Sequence, residues 1–283
     1  MRTKKRHVRL LGTHAVLIIL SVIMIYPVLW MLFSSFKPTS EIFSSPGLIP
    51  ENWTLQNYVV GWQGAGGVGF GTFFLNSFLI AGAVVVGSIF IASLTGFAFA
   101  RLKFKLRKIM FALMLMSIML PIQVTLIPQY IIFHELGWVN TFLPLIVPSF
   151  LGVSITPFFI FLMVQFIRGL PKELDEAAII DGCSTFQVFW RVILPLSKPA
   201  LITISIFAFY WTWDDFFSQL VYLSDPSKFT VSTGLNLFLS NAGNSQWGAL
   251  FAMSILSIIP VIVIFLFFQK YLVKGVSTTG MKL

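Results

Sequence analysis

Residues 73–100 read FFLNSFLIAGAVVVGSIFIASLTGFAFA, and residues 101–108, directly after them, read RLKFKLRK. The first run is 28 residues long and has no charge. A helix of that length rises about 42 Å, more than the roughly 30 Å of hydrocarbon in a bilayer. The second run stops it with five basic residues, Arg101, Lys103, Lys105, Arg107 and Lys108. The rest of the chain repeats this alternation. Of 283 residues 57% are hydrophobic and 10% charged, whereas a soluble domain carries about 25% charged residues. There is too little charge to coat a globule holding 31 Phe and 8 Trp. The composition therefore predicts an all-α integral membrane protein, since helices satisfy their own backbone in lipid and the runs lack the alternation of a barrel.

Six stretches are long and apolar enough to span: about Leu11–Phe33, Phe73–Ala100, Ile109–Phe133, Phe142–Ile167, Ala200–Leu223 and Gly248–Leu272. The first follows Arg2, Lys4, Lys5, Arg6 and Arg9 as a signal peptide would. It is longer than the 7–15-residue apolar region of such peptides, so it reads as an uncleaved first span. With the N-terminus inside, 17 of the 19 basic residues fall on one side, and only Lys37 and Lys228 fall on the other. That asymmetry predicts N-in, C-in, with the basic side cytoplasmic. It accounts for the +9 net charge with no nucleic-acid partner. The chain reads as one transmembrane domain, residues 1–283, without an internal repeat. Outside lie Ser34–Thr72 and Ser224–Trp247, and inside lies one long segment, residues 168–199.

Several chemistries lack their residues. Gly64-Ala65-Gly66-Gly67-Val68-Gly69 matches G-x-G-x-x-G, but a dinucleotide site needs that motif between a strand and a helix. Here it lies in an outside loop and reads as a turn. The sequence holds no G-x-x-x-x-G-K-[ST] loop for ATP phosphates, and three scattered histidines with one cysteine make no metal set. Cys183 has no second cysteine to pair with and reads as a small, semi-buried side chain. No catalytic residues, metal site or chain-borne cofactor are expected.

The inside segment is the informative one. Pro171 suits a first helical turn, and Glu173, Asp175 and Glu176 suit its positive end. Gly182 suits a left-handed stop. Ser184 and Gln187 have the spacing of a capping box. Phe186, Phe189, Trp190 and Ile193 then fall on one helical stripe that Pro195 ends. By itself this describes two short helices along a membrane face. The spacing says more: Glu176-Ala177-Ala178, three residues, Gly182, nine residues, Val192, one residue, Leu194-Pro195. It resembles the cytoplasmic loop of permease subunits in binding-protein-dependent ABC importers, with Val192 standing where the family pattern has Ile. Ser35-Phe36-Lys37-Pro38, Phe74-Leu75-Asn76-Ser77, Ala98-Phe99-Ala100-Arg101-Leu102, Pro121-Ile122-Gln123 and Trp213-Asp214-Asp215-Phe216 are similar to the carbohydrate-uptake branch. Within it the chain resembles the six-helix permease of the maltose-type transporter. Many relatives carry Asn at the position of Asp214.

The resemblance implies a transport subunit, not an enzyme. Its partners would be a second related permease as a heterodimer, two ATP-binding subunits that hold ATP and Mg, an extracytoplasmic solute-binding protein, and membrane lipid. It implies that Glu176, Ala177, Ala178, Asp181, Gly182, Phe186, Phe189, Trp190, Leu194 and Pro195 couple this chain to an ATPase. The residue types agree: small alanines permit close approach, and each fully buried ring of the stripe is worth about 2 kcal/mol. The implied cargo is a sugar or oligosaccharide. Other readings are a non-sugar solute (polyol, glycerophosphodiester or peptide) on the same architecture, or an ATP-independent secondary transporter.

Candidate pathway residues come from polar groups inside spans. Asp214 and Asp215 sit about 15 residues into the fifth run, where an ionisable group is a functional candidate. Tyr210, Trp211 and Trp213 flank them, as a sugar site would use. Adjacent residues point about 100° apart, so one acid faces the pathway while the other meets a neighbouring helix, or both are simply satisfied by neighbours. Pro121 and Pro128 predict a broken or kinked span beside Gln123, Thr125 and Gln129, and Asn76 and Ser77 lie in the second run; for these, lining and packing are equal alternatives.

Overall fold

The computed structural model describes residues 2–45, 47–239 and 245–277, with side-chain surroundings from residue 12 to 270. Among the described residues the fold is all-helical, and its sole strand-like feature is an isolated bridge between Ala65 and Val68. That bridge closes the glycine-rich turn, in which Gly64, Gly66 and Gly67 all have positive φ. The helices are α1 (Arg2–Ser34), α2 (Gln56–Gln63), α3 (Phe70–Arg101), α4 (Arg107–Ile118), α5 (Ile122–Glu135), α6 (Leu143–Phe150) and α7 (Thr156–Gly169). Then come α8 (Glu173–Ile180), α9 (Thr185–Val188), a π turn (Phe189–Ile193), α10 (Leu194–Leu196), α11 (Lys198–Asp214), α12 (Phe217–Tyr222), α13 (Val231–Asn236) and α14 (Trp247–Ser277). The predicted outer loop loses residues 240–244 from this description, and the tail beyond 277 lies outside it.

Three helical stretches, in α1, α3 and α14, are long and apolar enough to cross a membrane unaided, or five if each bent pair is one span. Three of the six runs read from sequence are therefore not continuous helices. The run Ile109–Phe133 breaks into α4 and α5, whose axes turn by 103°. Pro121 stands at the break, where its missing N–H cannot continue α4. The run Phe142–Ile167 divides between α6 and α7 at residues 151–155, where Gly152 (φ 76°) and Ser154 (φ 62°) are left-handed. Pro148 and Pro157 flank that break. The run Ala200–Leu223 stops at Asp214, where Asp215 is extended, and resumes as α12.

The chain forms two compact units. The larger comprises Gly71–Gly234 and Pro260–Leu283. Its core lies along α3, α7 and α11 and includes Ala92, Phe159, Met163, Ile167, Ile204 and Ala208. Small residues on α3 allow this packing. A Cβ on Gly96 would sit 2.6 Å from Met163 Cβ, and one on Gly87 2.6 Å from Ser149 Oγ. Small residues that let backbones approach are the usual device where lipid supplies no hydrophobic drive between helices. Asn76 anchors the far end of α3 by donating to the carbonyls of Ser227 (3.0 Å) and Phe229 (2.9 Å). Ser77 Oγ accepts the N–H of Val231 at 2.9 Å.

The smaller unit comprises Met1–Phe70 and Leu235–Ile259. Trp30 packs edge-on against Phe251 at 5.3 Å, and Phe43 against Trp247 at 5.5 Å. Asn57 is buried and donates to the carbonyls of Ser35 and Lys37. Lys37 is fully buried, and its ammonium donates to the Gly47 carbonyl at 2.5 Å. A basic residue on the predicted outer side thus holds a loop together.

Candidate coupling segment and cavity

Residues 168–199 are built as two short helices with a rigid joint. Glu173, Asp175 and Glu176 occupy the first turn of α8, where the helix dipole favours them. The helix ends in a Schellman motif. Gly182 (φ 84°) donates its N–H to Ile179 O at 3.0 Å, and Cys183 donates to Ala178 O at 2.9 Å. Two residues later Ser184 opens a complete capping box. Its Oγ accepts the N–H of Gln187 at 3.3 Å, and Gln187 Oε1 accepts the N–H of Ser184 at 2.7 Å. The second helix runs from Thr185 through Pro195 to Leu196, past the end expected from the proline. A π turn over Phe189–Ile193 precedes Pro195, and Leu194 N–H reaches Phe189 O. The chain then turns by 73° at Ser197 into α11.

The stripe Phe186, Phe189, Trp190 and Ile193 is divided by this fold. Phe189 and Ile193 are buried in the chain's own core, with Phe189 5.3 Å from the Phe97 ring. Phe186 and Trp190 are 66% and 60% exposed. Likewise Ala177 is exposed while Ala178 is buried with the same core. Glu176, Asp181, Gly182 and Pro195 are exposed and Leu194 half-buried. Phe189 and Ala178 accordingly hold the segment against α3 and the core; they do not present a face to a partner. Ile179 and Ile180, not among the coupling residues expected from the sequence, are 59% and 84% exposed at the joint. Two branched apolar residues at the end of α8, ahead of Asp181 and the helix-stopping Gly182, were the available signal.

An ion pair ties α8 to the end of α3. Arg101 Nε lies 2.5 Å from Asp175 Oδ2, with side chains 6% and 14% exposed, and Arg101 also donates to the Leu170 carbonyl at 2.9 Å. Burial pushes the Asp175 carboxyl above the usual range, against the opposing pull of the Arg101 guanidinium. Asp175 Oδ1 is buried with no hydrogen-bond partner.

The larger unit also encloses a cavity of about 360 Å³. Of the candidate pathway residues, Gln129, Trp211 and Asp215 line it. Ser117, Thr125, Ser149, Ser154, Thr212, Ser218, Gln219 and Tyr222 complete its polar lining. Asp215 accepts the N–H of Ser218 at 3.0 Å, and Gln219 donates to the Thr212 carbonyl at 3.1 Å. Tyr222 hydroxyl reaches Gln129 Oε1 at 3.4 Å. Trp211 stacks on Phe159, 5.4 Å between centroids. The other candidates stand apart from this cavity. Gln123, Tyr210 and Asp214 are exposed, Trp213 is buried against Phe209 and Phe78, and Asn76 is engaged with the 227–229 backbone. The spacing of Ser218, Gln219 and Tyr222 behind Asp215 was visible in sequence, but only the break after Asp214 turns them inward.

Comparison with known proteins identifies the family. Residues 88–278 match the family described as binding-protein-dependent transport system inner membrane component. The chain is 33% identical over 266 residues to the trehalose/maltose transport system permease protein MalG of Thermococcus litoralis, covering 94% of each. It is 31% identical over 278 residues to the galactooligosaccharides transport system permease protein GanQ of Bacillus subtilis, covering 98% and 97%. A crystal structure of a bacterial ABC transporter involved in the import of the acidic polysaccharide alginate contains a chain that superposes with a TM-score of 0.81. That match covers 93% of this chain and 96% of the other at 22% identity, and so speaks to fold. The chain belongs to the family of inner-membrane permease components of binding-protein-dependent ABC transport systems.

Proposed function

We propose that this permease crosses the membrane six times, N-in and C-in, imports a sugar or oligosaccharide, and is driven through residues 168–199. The six crossings would be α1, α3, α4 with α5, α6 with α7, α11 with α12, and α14. The separation of 17 basic residues from two supports the orientation. The sugar class is supported by the relatives, which are named for trehalose/maltose and galactooligosaccharides. The polar and aromatic cavity agrees with it: carboxylate and amide groups accept and donate to hydroxyls, and a Trp face covers C–H surface.

The observation that carries the coupling role is the exposed apolar group Ile179, Ile180, Phe186 and Trp190. It is mounted on a joint fixed by a Schellman motif and a capping box. Exposed aromatic and branched residues on a rigid mount are what a docking surface needs. The occupant is a cytoplasmic ATPase subunit, which would hold ATP and Mg. A second permease completes the pathway as a heterodimer, and an extracytoplasmic binding protein delivers the solute.

The test is purification from native membranes in mild detergent, identification of the associated subunits, and uptake in proteoliposomes with the binding protein encoded alongside. A second permease and an ATPase with sugar-stimulated hydrolysis are expected. A chain that purifies alone and transports without ATP refutes the reading.

A further inference from the structure

Beside the coupling segment, between the start of α4 and the end of α7, lies an open hollow of about 730 Å³. Four cations line it: Lys103, Arg107, Lys108 and Arg168. Among the described residues no carboxylate pairs with any of them. The helix α4 opens there with Leu106 left-handed (φ 64°) and no side-chain cap, so its positive end adds to the four charges. Two of the cations are held in place. Arg107 donates to the Leu102 carbonyl at 3.0 Å, and the Arg168 guanidinium lies 5.2 Å from the Phe111 ring centroid. Topology alone asks for basic residues at this level but not for their convergence on one hollow.

From the mouth of the hollow an apolar stripe runs along α4. Leu106, Ile109, Met110 and Leu113 follow the i, i+3, i+4, i+7 spacing, and each is at least half exposed. The ligand that fits is amphipathic, with an anionic head for the hollow and apolar chains for the stripe. An acidic soluble protein would answer the charges and leave the stripe uncovered. We propose that this hollow binds the phosphodiester headgroup of an anionic phospholipid of the inner leaflet, with its acyl chains along α4. This rests on the orientation proposed above, which puts the hollow at the cytoplasmic interface, where basic pockets between helices recognise anionic headgroups.

The test places the full chain, with its co-purifying subunits, in nanodiscs of equal phosphatidylglycerol and phosphatidylcholine. Lipids retained on release are counted by native mass spectrometry. Preferential retention of phosphatidylglycerol is expected. Lys103→Gln with Lys108→Gln and Arg168→Gln should lower that preference on the order of a hundredfold, at roughly fivefold per charge, while Lys198→Gln leaves it unchanged. The double variant Lys103→Gln with Lys108→Gln keeps the Arg168–Phe111 contact and serves where the triple fails to fold. Equal retention of both lipids by the unaltered chain overturns the proposal. So does displacement of the lipid by millimolar inorganic phosphate, or a variant that sheds an associated subunit and keeps its lipid preference. Orientation is read separately, with Lys108→Cys in a Cys183→Ser background and an impermeant maleimide. Labelling from the cytoplasmic side keeps the orientation, so a missing lipid preference then refutes the lipid site alone. Labelling from outside refutes the orientation and the inner-leaflet assignment with it.

Discussion

The divided stripe makes a paired prediction. Phe186 and Phe189 are the same residue type, one turn apart in a single short helix, yet the first is 66% exposed and the second 3%. Phe189→Ala removes a ring from the core beside Phe97 and leaves a cavity, at a cost of about 3–5 kcal/mol in fold stability. Phe186→Ala removes a ring of which about two-thirds is still open to a partner. Full burial of a Phe is worth about 2–3 kcal/mol, so the share available at an interface is about 1.5 kcal/mol, or about tenfold in ATPase affinity. The assays are thermal denaturation of the purified permease and titration of the permease with its ATPase. Phe189→Ala should lower the denaturation temperature and reduce yield. Phe186→Ala should leave the denaturation temperature unchanged and weaken ATPase binding about tenfold. If Phe186→Ala destabilises the permease as Phe189→Ala does, or if Phe189→Ala weakens binding at full stability, the division into a core face and a docking face is wrong.

Three further predictions follow from the loops. Arg101→Ala leaves Asp175 buried without its partner and should cost about 3 kcal/mol, whereas Asp175→Asn, which keeps the Arg101–Leu170 bond, costs less. The Asp175 pKa is raised, so its contribution is favourable below the ordinary carboxylate range and is lost as pH rises through the folded value; the Arg101→Ala deficit in thermal stability should therefore shrink as pH falls. Gly182→Ala meets open space but must hold φ near 84°, so about 1 kcal/mol of strain should loosen the joint, read as faster exchange of the Cys183 amide. Glu41 has a lowered pKa because the Glu51 N–H donates to its carboxylate; that hold is present above the usual glutamate range and is lost as pH falls through the folded value, so corrected exchange at Glu51 should rise in acid for the parent and already be raised in Glu41→Gln.

What the sequence disclosed and what it hid divide along physical lines. The two caps of residues 168–199 are local properties, and each is where the residue types put it. Burial is not local. The i, i+3, i+4 spacing of Phe186, Phe189, Trp190 and Ile193 identifies a face but not what covers it. Here α3 covers half of it through Phe97, a residue 92 positions earlier than Phe189. The same limit hid the Arg101–Asp175 pair, whose members belong to separate segments with no spacing to relate them. It also misplaced Trp213, whose ring is taken by Phe78 and Phe209 away from the cavity.

The broken helices were the hardest feature to read, because a run of apolar residues looks the same whether or not its axis is continuous. Prolines at 121, 148 and 157 marked two of the breaks, yet a proline in a membrane helix often only bends it. The three breaks have one destination. Leu120 and Ile122 at the first, Gly152 through Ile155 at the second, and Thr212 with Asp215 at the third all line the same 360 Å³ cavity. Irregular backbone at membrane depth is stable only when buried in protein or facing a wet interior. Convergence on one polar space satisfies that condition for all three at once. Side chains do part of that work, since Gln219 supplies a donor to the Thr212 carbonyl at the end of α11. Gln219→Leu should therefore act on the break itself. It leaves that carbonyl without its donor beside an apolar group, at about 1–3 kcal/mol, and should lower the denaturation temperature while the Phe186 docking face binds ATPase as before. Unchanged stability in Gln219→Leu would mean that the break is held by other contacts and that Gln219 is free to serve the pathway.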